Sequence, residues 1–168
     1  MRNKAAHGIR RTAMRIADVL SLERMTVSLE ATDKPSALRA IAELFSDQDP
    51  EAVYRVFAER EALASTGVGS GVAIPHGRLA QMDHLEAAVA IHPDGVPFDA
   101  VDQEPARLFI ALLAPVHQAG EHLKALARFS RILRQPEVRT SLLEAGSRED
   151  ALAVLLQQDA RHSQRPPR

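Results

Sequence analysis

The spacing of apolar positions changes along the chain, and each change marks an element. "TVSLE" at 26–30 alternates and predicts a short strand. Asp33 can cap a helix over 34–46 that turns Leu38, Ile41, Ala42 and Phe45 to one side. Asp49-Pro50-Glu51 sets a capping acid, a proline at the first helical position and an acid in the first turn. It predicts a second helix to about Leu63, burying Val53 and Phe57 with Tyr54 beside them. "STGVGSGVAIPHGRL" at 65–79 then breaks the helical period, and its "VAI" reads as a brief strand ending at Pro75. "EAAVAIH" at 86–92 is a further strand and "PDGVPF" at 93–98 a turn. "RLFIALLAP" at 107–115 is a continuous apolar run bounded by prolines, the mark of a central strand covered on both faces. The helical period returns over 120–135, with Leu123, Leu126, Ala127 and Leu133 on one stripe. Pro136 opens another helix that Gly146 ends, and Ser147 to Asp150 resembles a capping box starting a last helix to about Gln158.

These elements predict an α/β fold: one domain over 14–160, with a mixed parallel/antiparallel sheet flanked by helices on both faces. Residues 1–13 are basic and precede the first apolar period. They read as a flexible N-terminal extension, with Met14 as an alternative start. The polar, proline-containing 161–168 reads as a disordered tail.

Composition narrows the function. Hydrophobic content of 45% and charged content of 26% suit a globular domain, and a net charge of -1 gives no global field for nucleic acid. The absence of cysteine removes disulfides, thiolate catalysis and cysteine metal sites, and suits a cytoplasmic location. The longest apolar run, Leu108 to Val116, is far short of the roughly 20 residues of a membrane helix, so no membrane span is expected.

The 65–79 stretch holds the candidate chemistry. It lacks the Walker pattern, and its G-x-G-x-G follows a helix and precedes a strand, the reverse of the dinucleotide setting. Nor is there a G-x-S-x-G elbow at Ser70. The seven histidines, His7, His76, His84, His92, His117, His122 and His162, form no metal-binding spacing, and no metal or cofactor is expected. His76 is singled out by its neighbours. Pro75 fixes the approach, Gly77 leaves room for another molecule, and Gly67, Gly69 and Gly71 can turn backbone N–H groups into an anion-binding nest. A nucleophilic imidazole beside such a loop suits phosphoryl capture. Arg60, close to the end of the preceding helix, can clamp a phosphoryl group, unless it pairs with Glu59 or Glu61. His122 falls at the start of the helix after the long buried strand, either near its donor N–H groups or as a plain polar first-turn residue.

Taken whole, "EREALASTGVGSGVAIPHGRL" resembles the active-site signature of phosphotransferase-system IIA proteins of the fructose/mannitol type. "RIADVLSLERMTVSLEATDKPSALRAIAELF" and "HQAGEHLKALARFSRILRQPEVRTSLLEA" extend the resemblance from about Met14 to Gln158, most like the nitrogen-regulatory branch. The resemblance implies phosphorylation of His76, on Nε2, by a histidine-containing phosphocarrier protein that enzyme I charges from phosphoenolpyruvate. It implies supporting roles for Arg60 and His122 and a phosphoryl loop of Ser65, Thr66, Gly67 and Gly77. Ser70 stands where many relatives have Asn, and Arg78 where Lys is common.

The reading that follows is a phosphoryl-carrier regulator that controls partner proteins by its phosphorylation state. One alternative is a sugar-specific IIA component passing phosphate to a IIB domain; another is an interaction module indifferent to phosphorylation. A docking face around the glycine loop would include Val68 and Leu79.

Overall fold

The computed structural model describes residues 13–164. After a single 3-10 turn at Ile16–Asp18 come β1 (Leu20–Thr26), α1 (Lys34–Glu43) and α2 (Pro50–Leu63). Three short strands follow, β2 (Gly67–Gly69), β3 (Val72–Ala73) and β4 (His76–Leu79), then two long ones, β5 (Glu86–Val96) and β6 (Ala106–Pro115). Helices α3 (Ala119–Leu133), α4 (Pro136–Leu143) and α5 (Arg148–Ser163) complete the chain. The sheet runs β1-β5-β6-β3-β2, with β4 also on β6. β1 lies parallel to β5, β5 antiparallel to β6, and both β3 and β4 parallel to β6, so the sheet is mixed as expected.

The expected end signals act as read. Asp33 accepts from Ser36 N–H, Asp49 from Glu51 N–H beside Pro50, and Ser147 from Asp150 N–H. Each satisfies an otherwise orphaned helix donor, a contribution of about 1 kcal/mol. Helix α1 stops at Glu43, short of the expected 46. Helix α5 continues to Ser163, so it outruns the expected end at Gln158 and takes residues 161–163 out of the expected tail. Apart from Ala13, the expected extension lies outside the described residues, as do 165–168 of the tail.

Two strand readings are corrected. The first strand is not 26–30 but Leu20–Thr26, whose pairing with β5 slips between Leu20 and Met25. That slip destroys the two-residue alternation that would have marked it. Arg24 bridges the irregularity, its Nε donating to Ala87 O at 3.0 Å and its Nη2 to Val19 O at 3.1 Å. The expected turn at 93–98 is instead the far end of β5, bulged between Ile91 and Val96. There the His92 ring serves the bulge: Nδ1 accepts from Asp94 and Gly95 N–H, and Nε2–H donates to Ala31 O at 2.9 Å.

The apolar run of β6 is buried on both faces, and alternate residues feed two cores. Leu108, Ile110, Leu112 and Ala114 meet Ala125, Phe129 and Ile132 of α3 and the inner faces of α4 and α5. Phe109, Ala111 and Leu113 meet Leu38, Ile41, Val53 and Phe57 of α1 and α2. Each large aliphatic side chain so buried contributes roughly 1.5–3 kcal/mol. Tyr54 is only partly buried and takes the Arg39 guanidinium over its ring at 3.8 Å.

Candidate functional site

His76 opens β4, a short strand that borders β6 and has no further neighbour in the sheet. Its register continues that of β3: Val72 faces Leu108 and His76 faces Leu112, the same offset on either side of Ile74-Pro75. The chain is thus one strand whose ladder Pro75 interrupts, since proline has no N–H to give. Pro75 still accepts at its carbonyl, from Leu112 N–H at 2.9 Å. His76 stands opposite Leu112, which belongs to the α3 side of the sheet, so the ring faces α3. At this border α2 reaches the ring from one layer and α3 from the other.

The ring's hydrogen bonds fix its tautomer. Nδ1 lies 2.8 Å from Ile74 O, and a carbonyl only accepts, so Nδ1 carries the proton. Arg60 Nε only donates, and it reaches His76 Nε2 at 3.2 Å, so Nε2 holds the lone pair. The free lone pair of the neutral ring is therefore on Nε2. Burial chiefly, and the nearby Arg60 charge, lower the His76 pKa against the opposing pull of the Ile74 carbonyl and Glu61. The ring is neutral and nucleophilic at neutral pH.

His122 lies in the first turn of α3, with its ring centroid 5.5 Å from that of His76 and the planes at 72°. It is buried, and its Nε2 has no hydrogen-bond partner among the described residues. Burial, then the charges of His76 and Arg78, push its pKa down to about 4. An orphaned buried nitrogen costs roughly 1–3 kcal/mol until a partner arrives, and here it sits beside a nucleophile. Arg60 pairs with neither Glu59 nor Glu61; its Nη1 donates to Ala64 O at 2.9 Å while Nε faces the histidine. A cleft of about 320 Å³ opens over Arg60 and His76, lined also by Ser65, Thr66, Val68 and Ile74 and walled by Leu126, Ala127 and Ser130 of α3.

Two glycine roles differ from expectation. The expected nest is a hairpin: β2 and β3 pair antiparallel around Ser70 and Gly71, both with positive φ, 56° and 74°. Two such residues make the tight turn whose twist suits a hairpin. Two of its N–H groups are already engaged, Gly67 with Ser65 Oγ and Ser70 with Asp102. Gly77 does not admit a visitor: a Cβ there would stand 2.1 Å from Val56 Cγ1, so its role is to let α2 approach β4. Of the expected docking residues, Val68 is exposed, while Leu79 packs against the α1–α2 core. The α3 stripe is also rotated. It buries His122, Ala125, Phe129, Ile132 and Leu133 and leaves Leu123 68% exposed.

Sequence reasoning missed a buried carboxylate. Glu61, 8% exposed, accepts from Thr66 N–H, Thr66 Oγ and Lys34 Nζ. Its one signal in the sequence was an acid in the last turn of a helix, the end that disfavours negative charge.

The comparisons with known proteins agree with this geometry. The family described as "Phosphoenolpyruvate-dependent sugar phosphotransferase system, EIIA 2" matches residues 18–158. The chain belongs to this family. Among IIA relatives, the nitrogen regulatory protein of Bradyrhizobium diazoefficiens is 34% identical over 145 residues, 84% of this chain and 95% of that protein. The fructose-specific EIIA component of Haloferax volcanii is 33% identical over 144 residues, 83% of this chain and 94% of that one. The crystal structure of IIA-Ntr from Neisseria meningitidis superposes with a TM-score of 0.79 at 34% identity, covering 83% of this chain and 98% of its own. The family carries phosphoryl groups, so the resemblance read from the residues holds. Among the described residues no helix is long and apolar enough to cross a membrane, and no group of three His, Asp or Glu side chains is placed to hold a metal ion.

Proposed function

We propose that this IIA protein is a phosphoryl-carrier regulator that accepts its phosphoryl group on His76 Nε2. The observation that carries the reading is the ring's locked tautomer, with its lone pair facing Arg60 beside the unpartnered nitrogen of His122. The donor is a histidine-containing phosphocarrier protein in a phosphoenolpyruvate-dependent relay, as the family's description supports. The His76 Nε2 lone pair attacks phosphorus in line. A P–N bond forms there as the donor's P–N bond breaks and the donor imidazole leaves with that electron pair. The proton stays on Nδ1, which donates it to Ile74 O throughout. Arg60 moves from the ring nitrogen to a phosphoryl oxygen, and His122 Nε2 and the Ser65–Gly67 loop flank the group.

The new charge, roughly -1.5 to -2, appears in the cleft that His76 shares with exposed Val68, where it alters what can dock. The nitrogen regulatory relatives support regulation as the role, and the fructose-specific relative supports transfer to a IIB domain as the second reading. The test is intact mass after incubation with enzyme I, phosphocarrier and phosphoenolpyruvate. Wild type should gain one acid-labile group of about 80 Da, and His76→Ala none. A wild type that gains nothing from its cognate phosphocarrier overturns the carrier reading. Addition of a IIB domain that discharges the group would favour the sugar component.

A further inference from the structure

The buried carboxylate of Glu61 is placed at a cost. It sits in the last turn of α2, where helix carbonyls repel negative charge, and it is desolvated. Four hydrogen bonds offset this. Both oxygens lie 3.0 Å from Thr66 N–H, Oε2 also accepts from Thr66 Oγ, and Oε1 accepts from Lys34 Nζ at 3.0 Å. Lys34 reaches out to Asp99 Oδ2 at 2.8 Å with its ammonium 5.0 Å from the Phe98 ring centroid. Burial pulls the Lys34 ammonium down, but its bonds to Asp99 and Glu61 outweigh that and hold it above the ordinary lysine range.

The surroundings show what this cluster restrains. Arg60 precedes Glu61, so both side chains leave the same turn of α2. Thr66 stands two residues after Ala64, whose carbonyl Arg60 also grips. Ser65 Oγ donates to Phe98 O at 2.7 Å, and Gly67 lies so close to Ala100 that a Cβ would come within 2.9 Å of the alanine's. The segment 98–100 therefore backs the 65–67 loop, and Lys34 ties that segment to Glu61. Arg60 is thus anchored to the turn through Ala64 O, and the clamp holds that turn.

We propose that Glu61 and Lys34 are positioning residues for phosphoryl transfer: together they fix the α2–β2 turn so that Arg60 stays beside His76, bonded to Nε2 before transfer and within reach of the phosphoryl oxygens during it. This rests on the carrier reading for its kinetics but not for its geometry. An effect on rate follows because a misplacement of about 1 Å can cost on the order of 100-fold in a positioned reaction.

Two readouts test it. The first is 15N NMR of the His76 ring in the unphosphorylated chain, where Nε2 reports whether Arg60 donates to it. The second is the rate of transfer from the phosphocarrier, separated into kcat and KM. In Glu61→Gln and Lys34→Met, the Nε2 resonance should lose its hydrogen-bonded character and kcat should fall about 10- to 100-fold with KM within about twofold. Lys34→Arg keeps the cation and should restore both. Thr66→Val removes only the hydroxyl donor and should show a smaller loss in the same direction; it carries the test if Glu61→Gln does not fold. Variants that melt earlier yet keep the wild-type kcat and ring resonance would reduce the cluster to a structural clamp and overturn the proposal. If wild type takes no phosphoryl group, the carrier reading fails alone, and the ring resonance still decides whether Glu61 and Lys34 hold Arg60 on His76.

Discussion

At the scale of single residues, the site is a set of histidines kept neutral by different means. His76 is neutral with both nitrogens engaged; His122 is neutral because it is buried with a nitrogen unengaged. The second case links stability to pH. His122 falls from an ordinary 6.5 to about 4 on folding, so above pH 6.5 it is neutral in both states and contributes no pH dependence. As pH falls through that window, the unfolded chain binds the proton first and stability is lost, on the order of 3 kcal/mol in full. His76, lowered in the same direction, adds to the slope. Urea denaturation at pH 7 and pH 4.5 should show wild type losing stability and His122→Gln losing markedly less; equal losses would place the pH sensitivity elsewhere. His76 was legible because proline and glycines flank it. Glu61 was not, because a buried acid looks in sequence like any solvated one, and only the fold reveals that Thr66 and Lys34 converge on it.

At the scale of elements, the contact of α2 with β4 decides where Arg60 lies. Val56 fills the space a side chain at position 77 would need. Gly77→Ala should therefore destabilise the fold by about 1–3 kcal/mol, as overpacking does, and slow phosphorylation by pushing α2 outward. Adding Val56→Ala should recover much of both losses, measured by denaturation midpoint and transfer rate; no recovery would show that the helix is not displaced. Helix starts were readable from the sequence because caps are local chemistry: Asp33, Asp49 and Ser147 each act within three residues. The strands were less readable where irregularity hid the period. The slip in β1 rests on Arg24 reaching Ala87, a separation of 63. The bulge in β5 is filled by His92, which takes the neighbouring Asp94 and Gly95 N–H groups while its other nitrogen reaches Ala31, a separation of 61. Likewise, the glycines promised a nest and form a hairpin, because Asp102 takes the Ser70 N–H from a distant loop.

At the scale of the molecule, three of the exposed large apolar side chains, Leu63, Val68 and Leu123, come from α2, β2 and α3, elements that line the cleft. On the proposed function they are the candidates for the face a phosphocarrier would cover. Val68→Asp and Leu123→Asp should raise KM for the donor several-fold with kcat nearly unchanged, the mark of lost ground-state binding; a fall in kcat at constant KM would assign them to the chemistry instead. The two-layer core also bears on when the chain can work. Its nucleophile and second histidine belong to the layer of α3, while Arg60 belongs to the layer of α1 and α2, and the border of the sheet is their one meeting place. The site thus behaves as a logical conjunction of two folding events. On the proposed function, a newly made or damaged chain with only one layer formed would hold a histidine but not a phosphoryl acceptor, and would draw nothing from the relay until both halves had closed.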